Sequence, residues 1–349
     1  MSAFRVGLSA AFYRPDGTPA YPSFDVGPMA RARGLEMVKV AAVSEIRPAD
    51  VAELDAIILM GEGYGRASRH DNGRLALVAR FGVGFDRVDT AACTDADVAL
   101  VTTPDGVRRP VAVSVLAFLL ALTGRMFDKD RITRRGAAGF AEKSAYVGVG
   151  LVGRTFGVLG RGSIGAETVR VMQPLGMNFI AFDPYADKSV AASLGIRLVD
   201  KETLFREADF ISINCPLTAE TQHIVDAAMI ALMKPSAFLI NTARGPVVDQ
   251  KALTAALAER RIAGAGLDVF DPEPPEADDP LLRLDNVILA PHALAHTDQC
   301  FGGIGAADVA AILSVMKGEV PRGHIVNKDV VDRPAWRAKL AAYGKRFAA

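Results

Sequence analysis

Residues 148–165 read GVGLVGRTFGVLGRGSIG and carry the pattern G-x-G-x-x-G twice, at 148/150/153 and at 160/162/165. A dinucleotide grip needs a strand before its glycines and a helix after them. The helix then presents unpaired N–H groups and the positive end of its dipole to a pyrophosphate. The first copy follows the polar run EKSAY and leads into Arg154-Thr155 and a strand, so it lacks the helix. The second follows the apolar TFGVL and opens SIGAETVRVMQPLG, with Ile164, Thr168, Met172 and Leu175 at helical spacing. Gly160, Gly162, Ser163, Ile164 and Gly165 are therefore the expected grip, and GVGLVG only the approach to a strand.

A lone glycine pattern is weak evidence in a chain with 32 glycines. The run NFIAFDPY strengthens it. Asp183 ends the next apolar stretch at the distance where an acid accepts hydrogen bonds from the adenosine ribose hydroxyls. Its charge opposes a 2′-phosphate, and Pro184 and Tyr185 bring no arginine, so NAD is expected over NADP.

Outward from this stretch, short apolar runs alternate with helical segments. FRVGLSA, EMVKVAAV, AIILM, LALVARF and VALVTT form one series, and TFGVL, NFIAFD, FISINC, AFLINTA, AGLDVF and NVILAP a second. Strands separated by helices imply parallel sheets. A long helix from Pro110 to about Phe127 divides the series, and Asp128 to Gly153 reads as a loop-rich connection. With 349 residues, two domains are expected. The fold class is α/β: two Rossmann-like domains with parallel sheets, the cofactor domain (109–297) inserted into a discontinuous substrate domain (1–108 and 298–349).

Forty basic residues balance forty acidic ones, so no net field recruits nucleic acid or an anionic membrane. Cys93, Cys215 and Cys300 are sparse and odd in number, which fits a reducing cytoplasm better than a disulfide framework. The apolar run Val111 to Leu122 is too short for a membrane span and reads as a buried helix. No metal-ligand spacing is present.

Downstream, NTARGPVVD carries Arg244, GLDVFDPEPP carries Asp268, Asp271 and Glu273, and ILAPHALAHT carries His292 and His296. An arginine, an acid and a histidine at successive strand ends are candidates for one cleft. They suit hydride transfer to a carbonyl: the imidazole handles the proton, a carboxylate favours its charged form, and the guanidinium binds a carboxylate and polarises the adjacent carbonyl. Spacing alone leaves surface, loop and capping roles equally open.

FGVGFDRVD (81–89), the glycine motif with Asp183, NCPLTAET (214–221), NTARGPVVD (241–249), AGLDVFDPEP (265–274), APH (290–292) and GEVPRGHIVN (318–327) follow one another as in the D-isomer-specific 2-hydroxyacid dehydrogenases, and from about residue 76 to 327 the chain resembles that family. The resemblance implies that Arg244, Glu273 and His292 are catalytic, with His292 the acid/base and Glu273 its partner. It implies that Asp268 supports the nicotinamide end, and that the N–H groups of Val83 and Gly84 hold the substrate carboxylate. Cys215, Pro216, Thr221, Thr242 and Ala243 would line the cofactor cleft, Cys215 as packing rather than nucleophile. It also implies NAD as cofactor, a small 2-hydroxy or 2-oxo acid as substrate and a homodimer formed through the cofactor domain.

Departures from the family pattern are Val113, where an acid usually enters the interdomain helix and whose replacement removes a buried acid, and His296, read as packing. The segment AFYRPDGTPAYPSFDV and the loop GEGYGRASRHD also differ and leave the substrate open; Glu62 disfavours a very anionic one, while Arg66, Arg69, Arg108 and Arg109 point the other way. Two alternatives share the fold: an NAD(H)-sensing, corepressor-like interaction protein and a phosphite-type dehydrogenase. Glu273 argues against the formate type, which carries glutamine there.

Overall fold

A computed structural model describes residues 3–347. The described chain separates into two compact units, residues 1–107 with 296–349 and residues 108–295, so the second is inserted in the first. The earlier division falls within the helix Pro104–Thr123.

The first unit is built on strands β1 (Phe4–Leu8), β2 (Leu35–Lys39), β3 (Ala56–Leu59), β4 (Leu77–Arg80) and β5 (Ala99–Thr102), and on a late strand 324–325 that returns to it. Its sheet has the order late strand–β5–β4–β3–β1–β2 and is parallel except for that last arrival, which pairs antiparallel with β5. β3 and most of β4 and β5 are buried, as expected of parallel strands covered on both faces. The returning chain is tied in by polar contacts as well as packing. The indole N–H of the fully buried Trp336 donates to Ala76 O at 3.0 Å, and Asn327 donates to Val98 O and accepts from Leu100 N, both at 2.8 Å.

The second unit carries β6 (Thr155–Leu159), β7 (Asn178–Phe182), β8 (Ile196–Leu198), β9 (Phe210–Ile213), β10 (Phe238–Asn241), β11 (Gly264–Leu267) and β12 (Val287–Leu289); the late strand of the first unit is β13 (His324–Ile325). The order β12–β11–β10–β9–β6–β7–β8 is parallel throughout. The order reverses direction between β6 and β9, and the C-terminal edge at such a switch point is where α/β sheets place ligands.

Three expectations change. The dividing helix begins at Pro104 rather than Pro110 and ends at Thr123, with Pro110 inside it. Proline is rare within helices because it removes a backbone donor, which makes it a misleading start signal here. Residues 128–153 are largely not loop. Helices Met126–Thr133 and Ala137–Ala141 and the 3-10 turn Lys143–Tyr146 fill their first part. The segment's richness in Arg, Gly and Ala suggested a loop, but its arginines form same-face pairs, Asp130 with Arg134 and Asp128 with Arg131. By length and composition alone, helices Pro104–Thr123 and Asp298–Met316 are long enough to cross a membrane, contrary to the reading from the shorter apolar run. Both instead bury apolar residues in core, Val115, Phe118, Leu119 and Leu122 in one and Ile304, Val309, Ile312 and Val315 in the other.

Candidate active site

The second glycine pattern stands where a strand hands over to a helix, between β6 and the helix Ser163–Met172. Its three glycines have different reasons. Gly160 has φ +88°, and a Cβ there would lie 2.6 Å from Cys215 N, so the turn and the close approach of the β9 loop both require glycine. A Cβ on Gly165 would lie 2.4 Å from Gly160 O, so helix and turn meet there. A Cβ on Gly162 would meet nothing within 4 Å, which leaves the exposed face of the turn open at the helix N-terminus. An open cradle before free N–H groups fits a pyrophosphate. Ser163 is exposed and Ile164 half-buried at the start of that helix. The first glycine pattern is held differently: Val149 N–H donates to Thr123 O at 2.8 Å, and the chain runs directly into β6 with no helix.

Asp183 follows β7, and its carboxylate is fixed by two backbone donors, Arg161 N–H to Oδ2 at 2.8 Å and Tyr185 N–H to Oδ1 at 2.9 Å. The loop after β9 carries Cys215 and Pro216. Thr221 closes it, its hydroxyl donating to Pro216 O at 2.6 Å and accepting from Thr218 N–H at 2.8 Å. Burial pushes the Cys215 thiol up to about 11, which suits packing and not nucleophilic chemistry. At the end of β10, the Thr242 hydroxyl is buried without a hydrogen-bond partner, and Ala243 N–H donates to Asn241 Oδ1 at 3.0 Å.

Three strand-end loops carry the polar cluster. Arg244 follows β10, and Asn241 Nδ2 donates to its carbonyl at 2.9 Å while its own Nη1 donates to Ala243 O at 2.7 Å. Gly245 lets the β10 and β11 loops touch: a Cβ there would lie 1.8 Å from Phe270 O. Asp268, buried at the end of β11, accepts from Ala293 N–H at 2.9 Å and from Leu294 N–H at 3.2 and 3.3 Å, so it fixes the backbone beyond His292. His292 has φ +53°, a left-handed conformation that costs a non-glycine residue ~1–2 kcal/mol and collects at functional sites.

His292 Nδ1 lies 2.6 Å from Glu273 Oε1, and Glu273 Oε2 accepts from Phe270 N–H at 3.1 Å. Burial raises the Glu273 carboxyl, but the His292 hydrogen bond and charge, the Phe270 N–H and the Arg244 charge outweigh it and hold the group below the usual range. With Nδ1 engaged by a carboxylate, Nε2 is the nitrogen left to exchange a proton. Arg244, Glu273 and His292 thus share one edge of one sheet. Asp271 is not part of the pair; it faces His223 at 3.7 Å.

In the first unit, the turn after β4 contains Val83 and Gly84, whose N–H groups have no partner in that unit among the described residues. Thr103 braces it: Gly82 N–H donates to Thr103 Oγ1 at 3.1 Å, and Thr103 N–H and Oγ1 donate back to Gly82 O at 2.9 and 3.2 Å. His296, read as packing, is exposed and meets the Phe301 and Tyr21 rings edge-on, with centroids 4.9 and 6.2 Å apart. Val113 is not a buried position, being 48% exposed, so its replacement of an acid removes no buried charge. Glu62 is structural: buried, it accepts from the Ser9 hydroxyl and from Met60 and Gly61 N–H. Arg66 pairs with Asp95 at 2.9 Å and Arg109 with Glu167 at 2.8 Å.

Residues 116–293 match the family model of the D-isomer specific 2-hydroxyacid dehydrogenase NAD binding domain. A D-3-phosphoglycerate dehydrogenase of Methanocaldococcus jannaschii is 37% identical over 87% of this chain and 56% of its own length. A glyoxylate reductase of Korarchaeum cryptofilum is 38% identical over 74% of this chain and 78% of its own. The chain therefore spans little more than half of the first relative. Among solved structures, the D-lactate dehydrogenase of Aquifex aeolicus complexed with NAD and lactic acid is 26% identical, with a TM-score of 0.78 over 92% of this chain and 99% of that one. The second glycine pattern, the cluster of Arg244, Glu273 and His292, and the matched residues 116–293 all lie in one unit: the chain belongs to the D-isomer-specific 2-hydroxyacid dehydrogenase family and carries its NAD-binding domain.

Proposed function

We propose that the protein is a cytoplasmic, NAD-dependent D-2-hydroxyacid dehydrogenase that interconverts a small 2-hydroxy acid and its 2-oxo acid. The observation that carries this reading is the His292–Glu273 pair at 2.6 Å, beside Arg244 on the same sheet edge as the glycine turn.

The dinucleotide, when bound, supplies or accepts the hydride. The open face of Gly162 and the first N–H groups of the helix Ser163–Met172 receive its pyrophosphate, and Asp183 its adenosine ribose. In the reductive direction, His292 gives the Nε2 proton to the carbonyl oxygen as it becomes a hydroxyl; in the oxidative direction it takes that proton back. Glu273 keeps Nδ1 as the donor nitrogen and compensates the imidazolium charge. Arg244 polarises the carbonyl and binds the acid. Asp268 holds the loop that aims His292. Val83 and Gly84 offer two N–H groups to a carboxylate. Such positioned proton transfer contributes typically ~10²–10⁴ in rate.

The homodimer is assigned to the second unit. Met126, Phe127, Phe140, Val147 and Val152 are 55–84% exposed within residues 126–152, an apolar surface of the kind that a second copy covers. Sedimentation of the wild type against Phe127→Glu/Phe140→Glu tests it; a monomeric wild type contradicts it.

The test of the activity is a panel of 2-oxo acids, sugar acids included, with NADH, read at the nicotinamide absorbance. Turnover on at least one is expected. NADH binding with no turnover on any favours the corepressor-like alternative, and, in a parallel assay with NAD+, turnover confined to phosphite favours the other.

A further inference from the structure

Sequence reading finds no arginine after Asp183, yet the fold brings one there from the other side. Arg161, the residue between the first two glycines of the grip, donates its backbone N–H to Asp183 Oδ2, so the two residues adjoin. Its half-buried side chain then runs along the 183–187 loop and Nη2 donates to Asp187 O at 3.2 Å. Its Nε is buried with no hydrogen-bond partner, an N–H held in place without an acceptor. The Asp187 carboxyl is held below its usual range chiefly by the Ser189 hydroxyl and the Val190 and Ser189 N–H groups, with the Arg161 charge a smaller contributor, and the guanidinium itself donates to the Asp187 carbonyl rather than to the carboxylate. Asp187 Oδ1 accepts from Ser189 N–H at 2.8 Å and Val190 N–H at 3.2 Å and caps the following helix Lys188–Ser193. The Arg161 backbone N–H on Asp183 and its Nη2 on the Asp187 carbonyl thus place a guanidinium on the same 183–187 loop as the carboxylate expected at the adenosine ribose, with Asp187 a second carboxylate on that loop. Guanidinium groups bind phosphate through paired, charge-assisted hydrogen bonds.

We propose that Arg161 is a cofactor-specificity residue that admits a 2′-phosphate beside Asp183, so that the protein takes NADP(H) as well as NAD(H). This rests on the assignment of the second glycine pattern and Asp183 to the adenosine end of the cofactor.

Calorimetric titration with ADP-ribose and with 2′-phospho-ADP-ribose tests both levels without requiring turnover. Wild type is expected to bind both, their affinities within about tenfold. Arg161→Ala should weaken the 2′-phospho ligand by about tenfold or more, the worth of a charge-assisted contact, and change ADP-ribose by less than about threefold. Arg161→Lys should restore part of the loss, and kcat/KM with NADPH should fall in parallel while that with NADH holds. Equal weakening of both ligands in Arg161→Ala means a structural role and overturns the proposal, as does a wild type that binds ADP-ribose but excludes its 2′-phosphate. A wild type that binds neither removes the underlying cofactor assignment and the proposal with it.

Discussion

Both sheets end a central strand in a glycine-bearing turn, and the two turns are held in different proportions by side chains and by backbone contact. After β4, the turn at Gly82 is braced largely by side chains, with Thr103 Oγ1 making two hydrogen bonds to it beside one from the Thr103 N–H, and Arg80 donating to Phe81 O. After β6, the turn at Gly160 is packed backbone against backbone, with one side chain, Asp183, accepting from Arg161 N–H, and at Gly245 the contact is again backbone on backbone. A side-chain brace leaves the Val83 and Gly84 N–H groups without a partner in that unit among the described residues, as the proposed carboxylate contact requires. Close backbone contact fixes loops against one another, which suits a constellation such as Arg244, Glu273 and His292 that must keep its geometry. The strain stored at His292 belongs to that second kind of edge.

The sharpest way to break this contrast is Gly245→Ala. The added methyl has no room beside Phe270 O, so the β10 and β11 loops must part. We expect ~3 kcal/mol or more of destabilisation, read by denaturant melts, with loss of turnover in whatever folds. Glu273→Gln keeps a hydrogen-bond acceptor and removes the charge; kcat should fall by about 10² with NADH affinity unchanged. Because the Glu273 carboxyl is held below its usual range, its contribution to the pair is full above that range and is lost as pH falls through it. The acid limb of the wild-type stability profile should therefore flatten in the variant. Thr103→Val removes both Oγ1 bonds to the turn in the first unit and leaves the Arg80 bond in place. It should raise KM for the oxo acid by about tenfold, through ~1–2 kcal/mol of lost bonding, and leave NADH binding as it was; an equal effect on both would erase the distinction between the turns.

The smallest effect concerns Asp308, fully buried in the first unit with neither carboxyl oxygen hydrogen-bonded. Burial raises its carboxyl well above the usual range, with the Arg80 charge opposing. A raised acid binds its proton more tightly folded than unfolded, so stability falls as pH rises from the usual carboxylate range toward the folded value. Asp308→Asn should stabilise the protein at neutral pH by ~1 kcal/mol, read as a modestly higher melting temperature, and remove that slope. A lower melting temperature would show that the ionised form is stabilising.

The sequence made the fold class legible because strand and helix periods are local. It also separated GRGSIG from GVGLVG, since what precedes and follows each is adjacent in the chain. β8 and β13, three and two residues long, carry too little pattern to be read. The helices within 126–141 were hidden because a segment rich in Arg, Gly and Ala looks like a loop until its charges are paired three and four apart. At the site, the residue types were visible, but their joint role came from family order rather than spacing. Asp268's hold on the His292 loop and Arg161's place beside Asp183 depend on contacts 25 and 22 residues apart, which no local signal announces.

The central claim is that His292 moves the proton and does not build the cofactor site. The direct measurement is His292→Ala, with kcat on the best 2-oxo acid and NADH affinity by fluorescence determined on the same preparation. The account predicts a loss of kcat of about 10²–10⁴ with NADH affinity within about threefold of wild type. Undiminished turnover, or turnover and NADH binding lost together in a folded protein, would contradict it.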